Sequence, residues 1–414
     1  MTSQLVLGNG FGVAVASDSA VTLEDDGSPV RTYETSDKIF PLPMPHRLAV
    51  LTAGSALLHG LPFDVLVKEW IRSLGDSPES QLRSVELYRE SFLSWLRDNL
   101  DRWATSERRD EEALSYLAGQ LELLRQAIEL AVENAPEGEP AEITLQTLRE
   151  KNAWIAGSES LGSISSEMVE SIFDRLWEET EEHRPGLSNL VAHHFEGLQW
   201  SEEIDYEVRW FLRHTIEKST SFPSGGEAEL AFVGYGSRDL LPGVATLQTG
   251  GAIEDHIWCR PAFVEHAQAD GFGYGLIYTQ AQDDQIALIL KGYDQKSSEL
   301  TARAFLGRIG DSLVDAAEAE DGSEEKTTLL DPVALRAAMS EEESRVSWDT
   351  KLGPARATVA VLPLATLVDT ARSLVAVQTL SQTIRGVLPT VGGEIEAATI
   401  TLNEGFQWHT RREL

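Results

Sequence analysis

The chain has 414 residues, a length that admits a large core and two or three structural units. Its 67 acidic and 34 basic residues leave a net charge of −33, a surface that repels phosphate backbones and argues against nucleic acid as a partner. A hydrophobic content of 42% excludes a disordered tail, and the single cysteine, Cys259, excludes an intrachain disulfide. No apolar run approaches the roughly 18 residues that span a bilayer. The N-terminus lacks the basic region and apolar stretch of a signal peptide, so the expected location is cytoplasmic, with no membrane partner.

In chain order, residues 5–7 and 11–16 are short apolar runs separated by Gly8-Asn9-Gly10. Asn-Gly between two such runs is a strong hairpin signal, because both turn positions tolerate positive φ. Asp18 then sits just beyond the second strand. Residues 23–31 contain Glu24-Asp25-Asp26-Gly27-Ser28-Pro29 and read as a surface turn. Residues 38–40 read as a short strand ended by prolines, and residues 47–52 as another, with Gly54 marking a tight turn or a close backbone approach.

From Pro62 the apolar period becomes helical: Val65, Leu66, Trp70, Ile71 and Leu74, stopped by Gly75. Helices are expected over 82–103, 112–132, 143–155, 168–177 and 187–216. Strand signals return at 229–233, 243–247, 257–264 and 275–278, while 285–290 is too short to assign. Helices are expected over 300–317, 332–339 and 364–387, the last burying Leu367, Ala371, Leu374, Val375 and Leu380. Residues 397–402 and 406–409 form a closing hairpin. Strands, a helical block, then strands, helices and a hairpin indicate an α+β layered protein. Residues 1–75 and 227–414 would form the core, and 76–226 a helical insertion or subdomain.

Four residues of the first segment carry possible chemistry. Removal of Met1 would leave Thr2 at the N-terminus, where a free α-amine with a pKa of about 8 can act as base for its own hydroxyl. Such a nucleophile needs a cation nearby, an acid to orient the cation and a backbone N–H for the oxyanion. Lys38, Asp18 and Gly54 could supply these in turn. Taken singly, each has an ordinary role: a second residue, an edge-strand charge, a turn cap and a turn glycine.

Together they match a pattern. Thr2 and Asp18 are sixteen residues apart, with Asp18 in Ala16-Ser17-Asp18-Ser19; Lys38 precedes Ile39-Phe40; and Ala53-Gly54 closes the next strand. The stretch resembles the proteasome β-subunit group of N-terminal nucleophile (Ntn) hydrolases, as a divergent bacterial-type member. The resemblance extends to Phe232-Val233-Gly234-Tyr235-Gly236 and to Val391-Gly392-Gly393 with the strand pair after it. It covers about half of the chain and leaves the helical block unexplained.

The resemblance implies a four-layer αββα Ntn-hydrolase sandwich with an added helical subdomain, and a threonine-type peptidase acting on peptide or protein. It implies Thr2 as nucleophile, Lys38 as cation, Asp18 as its orienting acid and Gly54 as the oxyanion amide. Val21, Ser36, Thr52 and Ala56 would line the first specificity pocket, and Ser19, Thr390 and Gly392 would support the site. No cofactor or metal is implied, whereas a homo-oligomer is, and an ATPase or other protein partner is compatible with it. The chain departs from the family where an aspartate and a serine normally precede the glycine pair, since it reads Leu388-Pro389-Thr390-Val391. The family's serine after the middle strand is also missing from 279–284, where Asp283 and Asp284 are the nearest candidates. An alternative reading therefore stands: a noncatalytic assembly or scaffold subunit.

Other motifs compete poorly. Gly271-Phe272-Gly273-Tyr274-Gly275 precedes a strand rather than a helix, which argues against a phosphate loop. Adjacent His193 and His194 face different sides of a helix and are poor joint metal ligands, and Cys259 reads as a buried core thiol.

Overall fold

The computed structural model describes residues 2–25, 28–33, 37–134, 139–157, 164–178, 186–218, 228–267, 274–293, 298, 332–385 and 391–411. The protein is of mixed α+β class with antiparallel sheets. The chain opens with β1 (Ser3–Asn9), β2 (Gly12–Ser17), β3 (Val21–Asp25), β4 (Ser28–Tyr33), β5 (Ile39–Pro41) and β6 (Arg47–Gly54), then the short β7 (Leu57–Leu58) and β8 (Leu61–Pro62). Helices follow as α1 (Phe63–Leu74), α2 (Val85–Asp98), α3 (Leu100–Trp103), α4 (Ser106–Asn134), α5 (Pro140–Ala156), α6 (Ser166–Glu178), α7 (Leu187–His194) and α8 (Glu202–Lys218). Then come β9 (Ala228–Tyr235), β10 (Gly243–Ile253), β11 (His256–His266) and β12 (Leu276–Ala281). The chain continues through α9 (Asp284–Lys291), α10 (Pro332–Ser347), a π-helical turn (Trp348–Leu352), α11 (Gly353–Val361) and α12 (Leu364–Arg385), and closes with β13 (Glu396–Thr401) and β14 (Gly405–Thr410).

One five-stranded sheet has the order β12-β1-β2-β13-β14, antiparallel at each junction, and the other has the order β11-β10-β9-β6-β5. The chain divides into two compact units: Met1–Ala49, Val233–Val244 and Glu265–Leu414 form the first, Val50–Phe232 and Ala245–Val264 the second.

In the first unit β1 and β2 are buried along their whole lengths, so their middles, residues 5–7 and 13–16, are continuously apolar rather than alternating. Leu5 and Leu7 of β1 share one face with Ala14, Ala16 and Ala397, and this face packs on Ile286, Val359, Leu367, Ala371 and Val375 from α9, α11 and α12. Small residues on β2 and β13 beside the leucines of β1 leave room for the helices. Burying each leucine contributes roughly 1.5–3 kcal/mol.

The second unit has its own core. Leu117, Leu121 and Leu124 of α4, Phe173 of α6, and Val208 and Leu212 of α8 pack together with Ile253 and Trp258 from β10 and β11. The Tyr116 and Trp258 rings meet edge to face at 5.0 Å. The helical stretch expected over 76–226 thus builds one core with two strand residues from outside it.

Several expectations are corrected. Asn9 is not a turn residue: it pairs with Gly12, and Gly10-Phe11 forms the loop. Its side chain is drawn inward instead, with Nδ2 donating to the carbonyls of Val359 (2.8 Å) and Leu362 (2.9 Å). Residues 23–31 are mostly an antiparallel pair, with Val21 opposite Tyr33 and Leu23 opposite Arg31. The helix expected over 187–216 is two helices, broken after His194 near Gly197, whose φ of 91° is unfavourable inside a helix. The unassigned 285–290 lies in α9. Leu380 is 58% exposed rather than buried, because the buried stripe of α12 runs through Gln378 and Gln382 instead. The helix expected over 300–317 lies outside the described residues. No helix among the described residues is long and apolar enough to cross a membrane.

Candidate active site

The β1–β2 register explains the sixteen-residue step. Gln4 pairs with Ser17, so the next position brings Asp18 beside Ser3. The Asp18 N–H donates to the Ser3 carbonyl (3.2 Å), and the Ser3 N–H returns to Asp18 Oδ1 (2.9 Å). Thr2 lies immediately before, 4% exposed, with its carbonyl accepting the Gln282 N–H at 2.8 Å.

Asp18 has no exposed surface, and its carboxylate accepts from four donors. Oδ1 takes the Ser3 N–H and the Lys38 ammonium at 2.7 Å; Oδ2 takes the N–H groups of Gly392 (3.1 Å) and Ala20 (3.3 Å). Such complete coordination offsets the several kcal/mol that an unpaired buried charge would cost. Ser19 N–H donates to the Gly392 carbonyl at 3.2 Å, so the late glycine is bonded on both its polar groups.

Lys38 is also buried, as are Ile39 and Phe40 that follow it. Burial pushes its pKa below the usual lysine value, against the opposing pull of Asp18 and, more weakly, Glu396. Its proton is therefore held less tightly than on a surface lysine. The hydroxyls of Ser3 and Ser19 are buried and lack hydrogen-bond partners among the described residues.

Of the expected residues, Thr2, Asp18, Lys38, Ser19 and Gly392 converge in the first unit. Gly54 ends β6 in the second unit with φ of 83°, a conformation suited to glycine, and Thr52 is half-buried there while Ala56 is exposed. Val21 begins β3. Ser36 and Thr390 lie outside the described residues. Asp283 bonds Thr279 Oγ1, and Asp284 bonds Gln285 and Gln378, so both carboxyls have local partners.

Sequence reasoning missed Ser3, Gln282, Gln382 and Glu396. Glu396 is a buried acid opening an apolar strand, and Gln382 continues the Leu367-Ala371-Val375 stripe of α12; both are polar residues at core positions, and that was the available signal. Among the described residues, no group of His, Cys, Asp and Glu could hold a metal ion. In comparisons with known proteins, no family model and no curated protein matches the chain.

Proposed function

We propose that the protein is a threonine-type peptidase of the proteasome-like Ntn class, with a four-layer αββα core. The observation that carries this reading is the buried Asp18 carboxylate, which takes the Lys38 ammonium and the N–H of the residue following Thr2. Stability alone gives little reason for such a pair, since replacing a buried ion pair with well-packed apolar groups is often neutral or stabilising by about 1–4 kcal/mol.

In this reading Met1 is removed and the Thr2 amine takes the proton of its own hydroxyl as Oγ attacks a peptide carbonyl. Lys38 favours the developing alkoxide, and Asp18 holds Lys38 in place. The Gly54 N–H stabilises the oxyanion, the role that the resemblance assigns to it. Collapse breaks the C–N bond, the amine proton goes to the departing nitrogen, and an ester remains on Thr2. Water then attacks that ester with the Thr2 amine again as base, releasing the acid and restoring the hydroxyl. By the resemblance, Val21, Ser36, Thr52 and Ala56 would line the specificity pocket, and Ser19, Thr390 and Gly392 would support the N-terminus. A homo-oligomer and a protein partner such as an ATPase belong to the same reading.

Intact mass and N-terminal sequencing test the first requirement: the purified chain should begin at Thr2. A peptidyl β-lactone should then add its mass once per chain, and Thr2→Ala should abolish the addition. Retention of Met1, or labelling unchanged by Thr2→Ala, rules the reading out. The missing acid and serine before Gly392 favour a second reading, a noncatalytic assembly subunit, which retained Met1 would select.

A further inference from the structure

We propose that Gln282 and Gln382 are positioning residues of the Thr2 site, together forming an amide bridge that fixes Thr2 relative to the Asp18 carboxylate. This inference rests on the reading of Thr2 as nucleophile. Two strands of hydrogen bonding leave Thr2 in opposite directions and meet. On one side, the N–H of Ser3 donates to Asp18 Oδ1 and Gly392 N–H donates to Oδ2 of the same carboxylate. On the other, the Thr2 carbonyl takes the Gln282 N–H at 2.8 Å, and the Gln282 side-chain oxygen takes Gln382 Nε2. Gln382 Oε1 in turn accepts the N–H of Val391, the neighbour of Gly392, at 3.0 Å. A closed ring results, running from Thr2 through both glutamines to Val391 and Gly392, and back through Asp18 and Ser3.

Three further observations point to positioning rather than ordinary core satisfaction. Gln382 lies on the buried stripe of α12, where an aliphatic residue would otherwise serve, and it is only 8% exposed. One turn earlier Gln378 accepts the Gln285 N–H at 2.9 Å and bonds Asp284, so α12 holds the first turn of α9 as well as Gln282 just before it. Ala281, just before Gln282, has φ of 63°, a left-handed conformation that is strained for a non-glycine residue and persists only where surroundings enforce it. That conformation comes immediately before the N–H that meets Thr2.

An amide suits the task physically. It donates and accepts at once, so it spans the Gln282 oxygen and the Val391 N–H in one step. It also carries no charge, and so adds none to the buried Asp18 and Lys38 that already flank this segment. A carboxylate at 382 would keep the Val391 bond but raise the amine pKa.

The test uses the full chain and a peptidyl β-lactone, with labelling of Thr2 followed by intact mass across pH. Gln382→Met preserves volume and removes the bonds to Gln282 and Val391; it should slow labelling on the order of 10- to 100-fold, as expected for a displaced nucleophile, while a cooperative melt persists. Gln382→Glu should label faster than Gln382→Met and with its pH midpoint shifted upward from wild type. If Gln382→Met fails to fold, Gln282→Met makes the same comparison from the other end of the bridge. Wild-type labelling with an equal rate in Gln382→Met overturns this inference alone. Equal rates and midpoints for the Met and Glu variants also overturn it, since a purely structural role predicts them. No labelling of the wild type overturns the nucleophile reading, and this inference with it.

Discussion

Lys38 Nζ lies 2.7 Å from Asp18 Oδ1, and neither side chain has more than 5% of its surface exposed. Removing one partner leaves the other charge buried without its counterpart. Lys38→Met should therefore cost about 3–5 kcal/mol, and Asp18→Asn a comparable amount. The double variant Lys38→Met/Asp18→Asn should cost clearly less than the sum, because it leaves no isolated charge. Urea unfolding of the four proteins measures the coupling. Additive losses would show that the two charges do not support one another.

Gly234 approaches the chain at Arg47 too closely for any side chain. A Cβ built there would lie 2.2 Å from the Arg47 carbonyl oxygen, and φ is 141°. Both the contact and the backbone conformation oppose a methyl group, so Gly234→Ala should destabilise by about 2–5 kcal/mol. Gly10 offers the control, because nothing lies within 4 Å of a Cβ there. Gly10→Ala should change stability by no more than about 0.5 kcal/mol. Equal effects at the two positions would refute the close approach.

What could be read from the sequence was local. The hairpin was legible from its two apolar runs, and its register sets Asp18 beside Ser3, the residue after Thr2, while the choice of Thr2 and Asp18 as a pair rests on the resemblance. Lys38 reads locally as an edge-strand charge and only the resemblance singles it out, yet its side chain is buried. Gln282 and Gln382 meet across 100 residues, and neither carries a local signal of its partner. The β3–β4 pair was hidden because its acidic, proline-containing sequence favours turns, and pairing overrides that preference. Asn9 misled for the opposite reason: its turn propensity is strong, yet two distant carbonyls claim its side chain.

Those carbonyls make Asn9 a stability determinant. Besides donating to Val359 and Leu362, its Oδ1 accepts the Phe11 N–H at 2.8 Å, and the residue is fully buried. Asn9→Ala removes three hydrogen bonds, each worth about 1 kcal/mol net, so a loss of about 2–4 kcal/mol is expected. Asn9→Asp should be no better, since a carboxylate would face two carbonyl oxygens with nothing to donate. Thermal melts of the two variants check this. A loss below about 0.5 kcal/mol for Asn9→Ala would show that the bonds do not hold the hairpin to α11.

A pH response is built into the second unit at His59 and Glu112. His59 Nε2 accepts the Ala252 N–H at 2.7 Å, so that nitrogen is unprotonated, and the neutral ring carries its proton on Nδ1, 3.2 Å from Glu112 Oε2. Burial lowers the His59 pKa to about 4 and raises that of Glu112 to about 7, the latter against the pull of Arg108. The folded state thus resists charging both groups. For His59 the cost appears as pH falls below the ordinary 6.5 and is complete below about 4. For Glu112 it appears as pH rises above the ordinary 4.5 and is complete above about 7, because the unfolded chain loses that proton first. Glu112→Gln removes the second cost, so its melting temperature relative to wild type should be more favourable at about pH 8 than at about pH 5. Taking the difference at each pH cancels the general repulsion of the acidic chain. An unchanged difference would mean that Glu112 ionises as readily in the folded protein as in the unfolded chain.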